Sequence, residues 1–421
     1  MKNTKHHSCG MAAVVIALGS AMGTGPAEAT NGYFANGYNP QQKGLAGAGT
    51  AIDTGIMGMA VNPALGFGNA NAAEACISAF SPDRDVTIAP GGPLTPGTHR
   101  SNNQFFPIPC GGANWQLNDR TTLGFVVYGN GGMNTEYDTN FFAGFGAGSS
   151  PLGVDLMQLF ISPTLSYSVD EALTVGVAPV FAVQGFRAYG LEAFAGLSSN
   201  PAAVTNNGTD WSYGAGINLG LVWSPNENLT FGAAYRSRIF MTEFDDYAGL
   251  FAEQGDFDIP AQATLGVAFK VSPDLTLTAE YQHIWYGSID AIANPQTAGG
   301  FPLGGNTGAG FGWKDMDVFR VGAQYRASDQ LTLRGGVSYA TEFTDPSEVI
   351  FNTLAPATPR WHVGVGATWN MDANRSLSVS YTRTFSQSLT GSNPVMTGGA
   401  VQPATLRMDQ HELAFGMAWA W

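Results

Sequence analysis

The chain has 421 residues and a formal net charge of −14, with 12% charged and 44% hydrophobic residues. Soluble domains carry about 25% charged residues, so little charge without long apolar runs suits a wall whose two faces alternate better than a soluble globule. The acidic balance excludes a nucleic-acid partner, which needs a basic face.

Residues 1–29 read as a secretory leader. Lys2 and Lys5 give the positive start, Met11 to Met22 the apolar stretch, and Ala27-Glu28-Ala29 the cleavage site. The apolar stretch is short for a spanning anchor. Without Lys2, Lys5 and Glu28 the mature chain keeps 16 basic and 31 acidic residues, a net of −15. Residues 30–75 are rich in Gly and Ala with no sustained period, and are expected to form a compact hatch, or plug. Residues 76–421 are expected to form the wall. Cys76 and Cys110 survive cleavage of the leader; an oxidising periplasm allows them to pair, and two free thiols are the alternative.

A short polar turn then recurs six times, about fifty residues apart. The copies are Asn118-Asp119-Arg120, Val169-Asp170-Glu171, Ser224-Pro225-Asn226, Ser272-Pro273-Asp274, Ala327-Ser328-Asp329 and Met371-Asp372-Ala373. Each is followed by a Leu with an apolar residue two places on, from Leu123/Phe125 to Leu377/Val379. That spacing suits two long strands and one longer loop per repeat. Short turns at one end and long loops at the other describe a transmembrane β-barrel. Strands are expected near 77–87, 102–117, 121–133, 155–168, 173–189, 209–223, 229–244, 256–271, 275–289, 313–327, 331–343, 358–371, 375–388 and 405–421. The fold expected is all-β: a 14-stranded antiparallel transmembrane β-barrel with its N-terminal hatch inside the lumen. A soluble sandwich or propeller also alternates, but its strands average about five or six residues, and these run nine or more.

Alternation is clearest late in the chain. Trp361, Val363, Val365, Ala367 and Trp369 share one face, and His362, Gly364, Gly366 and Thr368 the other. Leu413, Phe415, Met417, Trp419 and Trp421 form the apolar face of the last strand. A terminal Trp in that position resembles the assembly signal of outer-membrane barrels, which makes the barrel-assembly machinery an expected partner through Trp421. Trp285, Tyr325, Trp361 and Trp369 fall near strand ends, as aromatic girdles do. On this register Arg236, Glu280, Arg320, Gln324, Arg334, His362 and Glu412 point into the lumen. They can brace the wall in pairs or meet a substrate headgroup.

Signals for catalysis are missing: there is no G-x-S-x-G elbow and no full phosphate loop. His99, His283, His362 and His411 lack metal-ligand spacing. No cofactor, metal or enzymatic activity is expected, although a Ser–His pair of an outer-membrane lipase leaves no trace in spacing.

The stretch Gly44-Leu45-Ala46-Gly47-Ala48-Gly49-Thr50-Ala51, then Asp53, then Ala60-Val61-Asn62-Pro63-Ala64-Leu65, resembles the amino-terminal hatch of the FadL-type long-chain fatty acid outer-membrane transporters. The ordered motif covers about forty residues, while the architectural likeness covers the mature chain. The resemblance implies capture of hydrophobic molecules at the outer loops, passage to an interior apolar site, and sideways release through a gap at a kinked third strand. Gly129, Gly131 and Gly132 stand where the family places that kink; the alternative is that they begin a loop. Gly44, Gly47, Gly49, Asn62, Pro63 and Ala64 would be the hatch motif, with Asn62-Pro63 also a plain turn signal. Tyr33, Phe34 and Tyr38 would touch an interior ligand. Phe141, Phe142, Phe145, Leu191, Phe194 and Leu197 are expected as exposed loop residues of a first capture groove.

The reading is therefore outer-membrane uptake of hydrophobic molecules, fatty acids or related hydrocarbons, by passive diffusion through a plugged, monomeric barrel. Its surroundings would be outer-membrane lipids and lipopolysaccharide. The alternatives are a general porin and a structural or adhesive surface barrel.

Overall fold

The structure, a computed structural model, describes residues 31–68, 71–296 and 302–421; the expected leader lies outside the described residues. Fourteen strands form the wall. They are β1 (Ala72–Ile88), β2 (Phe106–Asn118), β3 (Thr121–Tyr137), β4 (Leu152–Ser168), β5 (Leu173–Tyr189), β6 (Asp210–Asn226) and β7 (Leu229–Arg236). After them come β8 (Gln262–Ser272), β9 (Leu275–Ile284), β10 (Met316–Arg326), β11 (Leu331–Ala340), β12 (Trp361–Asn370), β13 (Arg375–Gly391) and β14 (Ala404–Ala420). Each pairs antiparallel with the next, and β14 pairs back on β1 from Ala72↔Ala420 to Ile88↔Ala404, so the sheet closes. Closure leaves no row of unmet N–H and C=O groups facing an apolar solvent. Two short strands, Gly97–Arg100 and Phe240–Met241, lie outside this circuit, paired to β1 and β6.

All six short turns gather at one end, with the first and last residues of the wall beside them. Period-two patterning decides which face looks inward. In β14, Leu413, Phe415 and Met417 are exposed, while Glu412 and Ala414 are buried. The expected strand positions hold, with local differences. The wall begins at Ala72 rather than 76. β7 stops at Arg236, eight residues long, and β8 starts only at Gln262. The cause lies between them: Arg238 pairs with Asp256 (3.3 Å) and Asp258 (2.5 Å), and Ile239 bridges Ile259, so the chain bends into the mouth.

The hatch fills the lumen. Asn39 caps the short helix α1 (Pro40–Gly44), its side chain accepting from Gln42 N at 3.0 Å. Pro40 suits the first turn because its missing N–H is not needed there. Glycines on the inner wall let backbone meet backbone. A Cβ on Gly364 would stand 2.1 Å from the Lys43 carbonyl oxygen, so any side chain there would unseat α1. The sulfurs of Cys76 and Cys110 are bonded, directly across β1 and β2 on the lumen side, with Cα atoms 4.9 Å apart.

Candidate functional site

One ion pair and one carboxylate that accepts from two backbone amides anchor the hatch at its sides. Lys43 Nζ lies 2.5 Å from Glu412 Oε1, both groups buried. Glu280 accepts from Gly49 N (2.9 Å) and Thr50 N (2.8 Å), and Arg320 Nη1 donates to the same carboxylate at 2.8 Å. Asn62 closes the motif: its Nδ2 donates to Thr50 O (2.9 Å) and Leu221 O (3.0 Å), and its Oδ1 accepts from Ala64 N (3.0 Å). Ser166 Oγ holds the Pro63 carbonyl at 2.6 Å. In this structure Asn62, Pro63 and Ala64 seat the plug against the wall. Gly47, at φ +91°, lies against Asn36 and Arg320. Glu412→Gln leaves Lys43 buried beside a neutral partner, a loss of about 3–5 kcal/mol for a broken buried pair. The expected result is a rise in ion leak across planar bilayers while the barrel keeps its heat-modifiable migration. The Lys43→Met/Glu412→Leu double variant should leak less than Glu412→Gln.

The leading end of the hatch carries Tyr33 and Phe34, both buried. The Tyr33 ring lies 5.4 Å from Tyr286, 6.0 Å from Trp313 and 6.2 Å from Phe257, centroid to centroid. Tyr286 Oη donates to Asn31 O at 2.5 Å. Burial pushes the phenols of Tyr33 and Tyr286 well up, so both remain neutral. Arg236, at the end of β7, points into this aromatic group. Its guanidinium lies 5.2 Å from the Phe34 ring and 4.8 Å from Phe160. It is 1% exposed and makes no hydrogen bond of good geometry through any of its three nitrogens. The Tyr128 hydroxyl also faces it; a buried cation between ring faces is held partly by cation–π attraction, and its nitrogens have donors to offer an accepting partner. Gln158 sits nearby, accepting from Asn130 (2.8 Å) and donating to Gln184 (2.7 Å).

The expected loop residues are placed differently from the sequence reading. Phe141, Phe142, Leu191 and Phe194 are buried, Phe145 is half-buried, and Leu197 is exposed. They miss solvent because the long loops fold over the mouth and pack on one another: Phe142 meets Phe194 at 4.9 Å, and Phe194 meets Phe351 at 5.3 Å. Within this canopy lies a narrow apolar pocket of about 40 Å³, lined by Phe186, Leu191, Phe194, Phe251, Phe311 and Phe351 among others. Phe251 touches Phe257 at 4.7 Å, and Phe257 reaches Tyr33. Aromatic contact is therefore continuous from the loop pocket to Arg236.

Beside the inner group the wall is incomplete. The β2–β3 ladder runs from Asn118↔Thr121 to Cys110↔Tyr128 and stops. Beyond it, within the wall, Phe106–Pro109 pair only with β1, and Gly129 onward pairs only with β4. Pro107 and Pro109 leave β2 short of donors for a second neighbour. The register of β3 shifts between Gly129 and Gly131, a bulge at Asn130, with Gly131 at φ +152°. Gly129, Gly131 and Gly132 thus lie inside a strand and not at the start of a loop. The hatch docks on the bulge: Ala35 N donates to Asn130 O (2.9 Å) and Gly132 N to Tyr33 O (2.9 Å). Contact between the two sides of the gap resumes at Asn102 N→Glu136 O, 2.8 Å.

The loop between β7 and β8 presents Phe257 between two acids. Asp256 is pushed up to about 7, first by burial and next by Asp258, while Arg238 opposes the shift; Glu253 also faces it. A raised carboxylate adds stability below its ordinary range and loses it as pH rises through about 7. Hydrogen exchange across residues 244–258, corrected for intrinsic rates, should therefore quicken from pH 5.5 to pH 8, and Asp256→Asn should abolish that difference.

Among the described residues no group of three His, Cys, Asp or Glu side chains is placed to hold a metal ion. The sequence reading did not single out Phe160, Tyr286, Trp313, Phe257 or Gln158. It placed Arg236 in the lumen, either bracing the wall in a pair or meeting a substrate headgroup, without naming its neighbours.

The family model described as "Outer membrane protein transport protein (OMPP1/FadL/TodX)" matches residues 20–419. A 47 kDa outer membrane protein of Pasteurella multocida is 23% identical over 371 residues, 80% of this chain and 83% of that one. Among solved structures, a Pseudomonas aeruginosa FadL homologue is similar at 18% identity and a TM-score of 0.70, covering 92% of this chain and 99% of the other. The P. putida toluene transporter TodX is similar at 16% identity and a TM-score of 0.70, with the same coverage.

Proposed function

The chain belongs to the OMPP1/FadL/TodX family of outer membrane transport proteins and resides in the bacterial outer membrane, and we propose that it takes up small hydrophobic molecules through this membrane by passive diffusion. Lipopolysaccharide impedes apolar solutes, and a protein path past it meets that need. The observation that carries the reading is the unbroken aromatic contact from the loop pocket to Arg236, which ends beside the gap between β2 and β3. Cargo is captured among Phe142, Phe194 and Phe351, displaces Tyr33 and Phe34 at the inner site, and leaves sideways past the Gly131 bulge. An apolar body with an anionic or hydrogen-bond-accepting head satisfies both the ring faces and the idle donors of Arg236. One of the family's solved relatives is a toluene transporter, which supports an apolar cargo class.

The chain itself does no chemistry on its cargo. It acts as a monomer, and its Trp421-ended last strand serves recognition by the assembly machinery. The test is paired. Purified protein in planar bilayers should conduct few ions, because the hatch is pinned. Expression in a host lacking its own fatty-acid channel should restore growth on a long-chain fatty acid or an aromatic hydrocarbon. High conductance without cargo specificity would establish a general porin instead.

A further inference from the structure

The wall has a second interruption, far from the β2–β3 gap. The β12–β13 ladder ends at His362↔Thr384. Above it, β13 shifts register against β14 between Thr384 and Gln387, and continues to Gly391 paired with β14 alone. On the other side, residues 341–360 leave the wall and cross the mouth. The helix Val349–Asn352 is buried, and the Thr353 and Leu354 carbonyls accept from Tyr137 Oη and Thr135 Oγ1 on β3, both at 2.7 Å. A narrow cleft of about 30 Å³ remains where that segment turned inward. Its top is closed by Pro346 packed on Gly391 and by Asn393 Nδ2 donating to Ser347 O at 2.9 Å. One hydrogen bond spans it, Thr358 Oγ1 to Gln387 O, 2.7 Å.

The lining is divided. Phe343, Leu389 and Leu406 make an apolar back, and Glu342, Arg360 and Gln387 a polar rim. The height of the cleft is informative. Trp361 and Trp369 are both exposed on the outer face of β12, eight positions apart, which on a tilted strand is roughly 20 Å and fits an apolar band of about 25 Å. The cleft opens just beyond Trp361, where lipid headgroups meet the wall. It also leads inward. The Phe343 ring is 4.8 Å from Trp313 and 6.1 Å from Tyr286, and Tyr286 lies 5.5 Å from Phe34. The inner site is thus two ring contacts away, without passing the loop pocket.

We infer that this cleft is a side inlet for single-chain amphiphiles already dissolved in the outer leaflet, separate from capture by the loops. The tail enters past Leu389 and Phe343. Arg360, partly exposed, is held over the Tyr339 ring, donates to the Tyr339 hydroxyl and reaches Glu342 at 3.4 Å; its long contact to Glu342 is the one an anionic or accepting head at the rim replaces. The inference rests on the proposed function, and the test separates the two. Pyrene-labelled dodecanoate is supplied to proteoliposomes either preloaded in the bilayer or carried in water on albumin. Ala357→Trp and Leu389→Trp fill the cleft. Each should slow transfer of the preloaded probe about tenfold, as overpacking of a fitted site does, and leave the albumin-carried rate within about twofold. Equal slowing of both routes, or of neither, overturns the inlet. Failure of the wild type to carry the probe by either route overturns the proposed function instead. Should neither variant fold, a diazirine-bearing dodecanoate preloaded beside the wild type decides: adducts on residues 341–344 and 385–391 are expected, and their absence sinks the inlet.

Discussion

Arg236→Met should weaken binding of a long-chain carboxylate by about 10- to 100-fold, the equivalent of one charge-assisted hydrogen bond at about 1.5–3 kcal/mol. Binding of toluene, which has no acceptor, should barely change. The barrel itself should become no less stable, and more stable if anything. Arg236 is a desolvated cation whose three nitrogens make no hydrogen bond of good geometry, an arrangement that costs stability. Met keeps the length and packs against Phe34 and Phe160. Quenching of Trp313 fluorescence by titrated ligand, alongside thermal unfolding, reads both quantities. If Arg236 is merely structural, Met will lower the melting temperature and leave carboxylate affinity alone; that pairing of results would refute the assignment.

Gly131→Val should reduce transport of every cargo by about tenfold or more while the barrel still closes. Val strongly disfavours the φ of +152° seen here, and its Cβ would stand 1.7 Å from the Tyr33 carbonyl oxygen. The backbone must therefore abandon the bulge, and residues 33–35 must leave their hydrogen bonds to β3. A straightened β3 moves toward regular pairing with β2, which narrows the gap. Release from detergent-free proteoliposomes checks this, with Gly146→Val as a control at a positive-φ loop glycine where a Cβ meets nothing within 4 Å. Undiminished transport in Gly131→Val, with the bulge lost, would remove the gap from the pathway.

Much of the wall was legible because each long strand repeats one local rule. Turn residues such as Asn118-Asp119 and alternation such as Leu413/Ala414 are set within a few positions, and closure follows from the count. The hatch was legible through Asn62-Pro63 and the glycines before it. What period two cannot state is which inward residues meet across the lumen. Phe34, Phe160, Arg236, Tyr286 and Trp313 come from five separate segments, and only the closed sheet brings them together. The loop aromatics were misjudged for a related reason. Phe141 and Phe194 sit in loops, where exposure is the local expectation, yet the loops bury one another. The ends of β7 and β8 were overrun because Arg238, Asp256 and Asp258 redirect the chain through contacts some twenty residues apart.

The Cys76–Cys110 bond stands on the last rung below the β2–β3 gap, with both sulfurs turned toward a lumen that the hatch fills. The bond ties β2 to β1 at the point where β2 loses its pairing with β3. The covalent clasp therefore fixes one jamb of that opening, so any widening of the gap must come from the β3 side.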